Sequence, residues 1–208
     1  SALMREPKKA EEILTAIRHA TGLPFTVKMR LGWDDASRNA VEIAKMAEAV
    51  GVDAVAVHGR TREQFYSGNA DYAAIAEVKR AVNIPVIVSG DIRRPADLAR
   101  ALDITGADAV MIGRGAQGNP WIFPQLIHWL HTGKELPPPT LIERAQVILR
   151  HLDLLVGYKG EYIGIREMRK HAAWYTRGLK GSAELRERFN RAASREEFAD
   201  ILHTAWNI

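Results

Sequence analysis

The feature that most constrains the fold of this chain is an alternation of two periodicities. Four short, apolar, β-branched runs occur at 25–30, 53–58, 85–89 and 108–112, and each is joined to the next by a stretch of helical spacing. The runs suit strands buried on both faces, which read as continuous apolar segments. The intervening stretches carry apolar residues at helical intervals, as in Ala40, Ile43, Ala44, Ala47 and Val50. The spacing predicts helices over 7–20, 39–50, 71–81 and 95–102, with Gly22 and Gly51 as stops and Pro95 in a first turn. Strands joined by helical crossovers lie parallel, with right-handed connections. Two architectures meet these conditions: a doubly wound open sheet, or part of a (β/α)8 barrel. Four strands make half a barrel. The chain opens on a helix with no strand before it, so an N-terminal part of such a barrel is expected to lie outside it.

After Leu136 the alternation stops. Pro137-Pro138-Pro139 disfavours helix and favours a stiff, extended connection. Beyond it, 141–155, 163–177 and 196–206 read as helices. The expected organisation is an α/β domain over 1–136 and a small all-helical domain over 137–208.

Composition narrows the function classes. The chain has no cysteine, which excludes disulfides, thiolate metal sites and a cysteine nucleophile within it. The seven histidines are scattered, with no metal-ligand spacing beside carboxylates. No apolar run reaches the roughly 20 residues that span a bilayer, and the start lacks the apolar segment of a signal peptide. A cytoplasmic protein with no membrane contact is expected, and no protein partner is indicated. The net charge is +4, and its distribution is uneven. Between Glu161 and Arg195 nine Lys/Arg face four acids, so the basicity is concentrated in the C-terminal third. On a helical wheel at 100° per residue, Ile165, Met168, Ala172, Tyr175 and Leu179 share one arc, and Arg166, Arg169, Lys170 and Arg177 the adjoining one. Such a stripe can neutralise phosphates along a nucleic-acid backbone.

In parallel α/β folds the chemistry gathers at the C-terminal strand ends. Here those ends carry Lys28-Met29-Arg30, His58-Gly59-Arg60-Thr61-Arg62, Ser89-Gly90-Asp91 and Gly113-Arg114-Gly115. Glycine lets backbone N–H groups approach an anion, so the last two loops are candidates for a phosphate site. A lysine inside a parallel sheet is rare unless it meets an anion or an electron-rich ring, which marks Lys28. His58 lies between Lys28 and the glycine loops. No Walker loop or GxGxxG follows a strand.

Taken together, the strings Thr26-Val27-Lys28-Met29-Arg30-Leu31-Gly32-Trp33, His58-Gly59-Arg60-Thr61-Arg62, Ser89-Gly90-Asp91-Ile92, Gly113-Arg114-Gly115-Ala116-Gln117-Gly118-Asn119-Pro120-Trp121 and Arg169-Lys170-His171 resemble the bacterial tRNA-dihydrouridine synthases, B-type group, over essentially the whole chain. The resemblance implies the C-terminal half of an FMN-binding TIM barrel followed by a helical tRNA-binding domain. It implies FMN as cofactor, NADPH as reductant, tRNA as partner, and reduction of uridine to dihydrouridine. It places Lys28 and His58 beside the flavin, and Ser89, Gly90, Asp91, Gly113 and Arg114 at its ribityl and phosphate groups. Arg60, Arg62, Arg166, Arg169 and Lys170 would face tRNA. The family's general-acid cysteine has no counterpart here, so no catalytic residue is assigned and the chain is expected to be an inactive fragment. Two other readings stay open: another FMN-barrel oxidoreductase acting on a small molecule, and a non-catalytic RNA-binding module.

Overall fold

The computed structural model describes residues 1–208 and divides into two compact units, Ser1–Gly115 and Ala116–Ile208. The sequence reading puts its boundary at the proline run instead. The difference is the segment holding α5 (Ile122–Thr132), a helix that the sequence reading did not identify.

In the first unit, β1 (Thr26–Arg30), β2 (Ala54–His58), β3 (Val86–Ser89) and β4 (Ala109–Met111) form one sheet in the order β1-β2-β3-β4. All three pairings are parallel. The helices α1 (Pro7–Ala20), α2 (Ala40–Val50), α3 (Tyr72–Ala81) and α4 (Pro95–Thr105) precede and connect them. A doubly wound sheet reverses its strand order at a switch point; this order does not reverse. The arrangement is consistent with part of a (β/α)8 barrel.

The register separates two faces, because successive side chains on a strand point to opposite sides. Met29, Val57, Val88 and Val110 are aligned across the sheet. The first three are at most 4% exposed, and with Val55 and Val86 they form this face's contribution to the core. Burying each aliphatic side chain contributes about 1.5–3 kcal/mol. The opposite face carries the rows Lys28–Ala56–Ile87–Ala109 and Arg30–His58–Ser89–Met111.

Carboxylates fasten the N-terminal ends of the strands. Asp53, just before β2, accepts the Phe25 backbone N–H at 2.6 Å and the Arg18 guanidinium at 3.2 Å. Asp108, just before β4, accepts the Val86 N–H at 2.8 Å and the Lys79 ammonium at 2.8 Å. Glu48 accepts the Asn83 and Ile84 N–H groups ahead of β3. Gly51 ends α2 in the left-handed region at φ 92°, as its sequence position predicts.

The second unit contains helices only: α5, α6 (Leu141–Lys159), α7 (Glu161–Tyr175), α8 (Ser182–Arg191) and α9 (Arg195–Trp206). Thr140 follows the three prolines and starts α6 with a reciprocal capping box to Glu143. The core comprises Ile148, Leu152, Ile165, Met168, Ala172, Leu185, Phe189, Phe198 and Leu202 among others, with Phe189 and Phe198 stacked at 5.1 Å. No helix is long and apolar enough to cross a membrane.

Candidate functional site

At the C-terminal ends of the four strands lies a cavity of about 250 Å³. Lys28, His58, Ser89, Gly90, Asp91, Gly113 and Arg114 all line it. These seven residues come from four separate strand ends, and the register brings them together: Arg30, His58 and Ser89 stand side by side at the top of β1, β2 and β3.

The electrostatics of the cavity are cationic. Burial, reinforced by the neighbouring Arg30, pushes the Lys28 ammonium below the usual lysine range. Burial, together with the charges of Arg30, Lys28 and Arg60, lowers the His58 imidazole to about 4, against a small opposing pull from Asp91. His58 is therefore neutral at physiological pH. Its Nε2 is buried and has no hydrogen-bond partner in the protein, so it is available to a polar ligand atom.

Asp91 is the organiser of the glycine loops. It lies at φ 54°, and the preceding Gly90 at φ 131°. A side chain at Gly90 would approach the Ala70 Cβ to 2.8 Å, so glycine is required there for packing as well as conformation. The Asp91 carboxylate accepts from Arg60 Nη2 at 2.7 Å, from the Ala70 N–H at 2.8 Å, and from Arg114 Nη2 at 3.5 Å. Burial pushes this carboxyl up, but the bonds from Arg60 and Ala70 and the nearby Arg114 outweigh it and hold it below the usual carboxylate range. Gly113 faces open space, with no atom within 4 Å of where a Cβ would stand.

The expectation that Arg60 faces tRNA does not fit its surroundings. Arg60 is 1% exposed. Its guanidinium donates to the Ser67 and Gly68 carbonyls at 3.0 and 2.6 Å as well as to Asp91, so it ties the loop after β2 to the loop after β3. Arg62 is exposed and lies over the Trp33 ring at 5.4 Å. On α7, Arg166 and Lys170 are exposed. Arg169 is turned inward instead, donating from Nε and Nη2 to the Ala192 carbonyl at 3.2 and 2.8 Å. A guanidinium that satisfies the C-terminal end of α8 is not free for phosphate.

Sequence reasoning missed Arg30, Tyr66 and Arg93 as cavity residues. Arg30 donates to the Thr61 and Phe65 carbonyls and so shapes the loop after β2. Tyr66 on that loop carries the Arg114 guanidinium over its ring at 4.1 Å. Arg30 could have been found by strand periodicity, since it lies on the same face as Lys28; Tyr66 has no such signal.

The lining fits a group that joins a phosphate to a polar ring. It offers the Lys28, Arg30 and Arg114 cations, glycine backbone open to an anion, and a buried, unpartnered imidazole nitrogen. No group of three or more His, Asp and Glu side chains is placed to hold a metal ion.

Comparison with known proteins gives this site its context. The family model described as "Dihydrouridine synthase (Dus)" matches residues 1–207. A "Probable tRNA-dihydrouridine synthase" of Rickettsia bellii is 50% identical over 91% of this chain and 58% of its own length. The "tRNA-dihydrouridine synthase B" of Xanthomonas axonopodis pv. citri is 49% identical over 92% of this chain and 58% of its own. This chain thus spans somewhat under three-fifths of the relatives it matches. Among solved structures, a mandelate oxidase variant with benzaldehyde covers 91% of the chain at 16% identity and a TM-score of 0.35, too slight a likeness to carry an argument. With the family model covering nearly every residue, and the strand-end motifs meeting in one cavity, the chain belongs to the dihydrouridine synthase family.

Proposed function

We propose that this chain forms the phosphate side of a flavin site and an RNA-binding helical unit of a tRNA-dihydrouridine synthase, within half of a (β/α)8 barrel. The observation that carries the reading is the convergence of Lys28, His58, Ser89–Asp91 and Gly113–Arg114 on a single cationic cavity. FMN, reduced by NADPH, would supply the hydride for C6 of a tRNA uridine. Ser89, Gly90, Gly113 and Arg114 would hold its phosphate and ribityl groups by charge-assisted and backbone bonds. Asp91 would act through Arg114 and Arg60, fixing the loops rather than accepting from the cofactor. Lys28 would place a cation beside the ring, favouring its reduced, more negative form. Neutral His58 offers a nitrogen to a ring or ribityl polar atom without adding charge. The chain contains no cysteine. It therefore supplies no thiol to protonate C5, and by itself it should not turn over tRNA at an enzyme's rate; loss of a general acid costs about 10²–10⁴ in rate.

The test is a fluorescence titration of the 208-residue chain with FMN. Arg114→Ala should weaken binding by about 1–3 kcal/mol. Lys28→Met should change affinity less, while lowering the bound flavin's midpoint potential. Equal FMN affinity in wild type and Arg114→Ala would refute the phosphate assignment. An unchanged potential in Lys28→Met would refute the ring assignment.

A further inference from the structure

Along α7, Tyr162, Arg166, Lys170 and Trp174 follow one another at intervals of four residues. Each interval advances the side chain by about 40° around the helix, so the four form one slowly winding ladder about 18 Å long. The two cations each sit on the ring of the neighbouring rung. The Arg166 guanidinium lies 3.4 Å from the Tyr162 ring centroid, and Arg166 Nη1 donates to the Tyr162 carbonyl at 3.1 Å. The Lys170 ammonium lies 4.9 Å from the Trp174 centroid. Tyr162 is 71% exposed. The opposite face of the helix, with Ile165, Met168 and Ala172, is fully committed to the core.

We propose that this ladder binds unpaired RNA nucleotides by stacking as well as by charge, with Tyr162 and Trp174 as the platforms and Arg166 and Lys170 as the phosphate contacts between them. The inference rests on the RNA-binding reading and adds to it the rings and the class of RNA they select. Charge complementarity identifies the occupant as a polyanion. Of the nine Lys/Arg between Glu161 and Arg195, Arg169 is held by the Ala192 carbonyl and Arg191 and Arg195 by Glu187 and Asp153; the others still outnumber the acids left in that stretch, and Glu167, the acid within the ladder's span, is already neutralised by Lys159 at 2.7 Å. The rings narrow the polyanion to a nucleic acid with free bases. Here each cation covers one face of its ring, the planar Arg166 guanidinium over the exposed Tyr162 and the Lys170 ammonium over the half-buried Trp174, which leaves a second face of Tyr162 and the outer guanidinium plane of Arg166 for a base. Bases stack on aromatic rings and on guanidinium planes alike. Inside a duplex the base faces are already stacked, so the surface suits loops, bulges and single-stranded ends.

The experiment is an anisotropy titration of the 208-residue chain with labelled tRNA, single-stranded RNA, blunt duplex RNA and heparin over a range of salt. Single-stranded RNA should bind more tightly than the duplex. Tyr162→Leu and Trp174→Leu should each weaken RNA binding about fivefold or more, with the slope of log affinity against log salt unchanged. Trp174→Phe should restore most of the affinity. Arg166→Gln should flatten the slope by about 0.7. Tyr162 lies outside the core, so its variant keeps the fold, which far-UV circular dichroism checks. Duplex and heparin binding as tight as single strands, or ring variants with wild-type affinity, would overturn the stacking proposal and leave RNA binding standing. A wild-type chain that binds no RNA would overturn the RNA-binding reading, and the stacking proposal with it.

Discussion

Burial and the positive charges of Arg30, Lys28 and Arg60 hold the His58 imidazole neutral down to about pH 4. An unfolded imidazole titrates near 6.5. Between those values the unfolded chain binds the extra proton and the folded chain does not. This contribution to stability is therefore complete above about pH 6.5 and is lost as pH falls toward 4. His58→Gln should reduce the loss of stability over that window, measured by urea denaturation at a series of pH values. In wild type, the His58 ring resonances should titrate near pH 4; a midpoint near 6.5 would show that neither burial nor the neighbouring cations act on this ring. At this scale Lys28 and His58, which the sequence marks at strand ends, both line the cavity, because strand alternation and strand ends can be read from one segment. The sequence reading misplaces Arg60 and Arg169. Their partners, Asp91 and Ala192, are 31 and 23 residues away, and only the folded chain shows that these guanidinium groups are already engaged.

Among the elements, the strands divide labour along their length: acids at the N-terminal ends fasten backbone, and bases at the C-terminal ends line a cavity. The alternation of periods suffices to locate all four strands and their connecting helices, since each strand is a short apolar run even though β1 and β4 are only partly buried. The fastening role of Asp53 and Asp108 is invisible in sequence, where both read simply as first residues of strands. The helix pair α6–α7 shows a second long-range requirement. A side chain on Gly164 would stand 2.8 Å from the Val156 backbone and 2.9 Å from the carbonyl carbon of Leu155. Gly164→Ala gains about 1 kcal/mol of helix propensity, but overpacking against backbone costs about 1–3 kcal/mol. The net effect should be a lower melting temperature, larger for Gly164→Val, read by thermal denaturation; an Ala variant more stable than wild type would show that the two helices can separate freely. Helices α5 and α8 were missed because α5 carries a proline in its first turn and α8 starts on a glycine rather than a capping side chain.

For the whole molecule, the boundary at Gly115/Ala116 precedes the proline run by some twenty residues because Trp121 packs on the helical core and Gly118 abuts the backbone at Trp174 and Tyr175. Prolines mark where a helix cannot continue; they do not mark where packing changes partner. The helical unit has its own buried core, so residues 116–208 produced alone should be helical and melt cooperatively by circular dichroism. A non-cooperative melt would show that the core is insufficient by itself. The two-faced sheet of the first unit carries a consequence for tolerance to change. One face holds valines and Met29 in a dry interior, and the other presents Lys28, Arg30, His58 and Ser89 to the cavity. Substitutions along each strand should therefore fail for different reasons at odd and even steps. At Met29, Val57 and Val88 variants should be lost as unfolded protein. At Lys28, Arg30 and His58 they should persist as folded protein with altered ligand binding. A saturation library sorted separately for abundance and for flavin binding would show two interleaved patterns of period two, in opposite phase along the same five residues of β1.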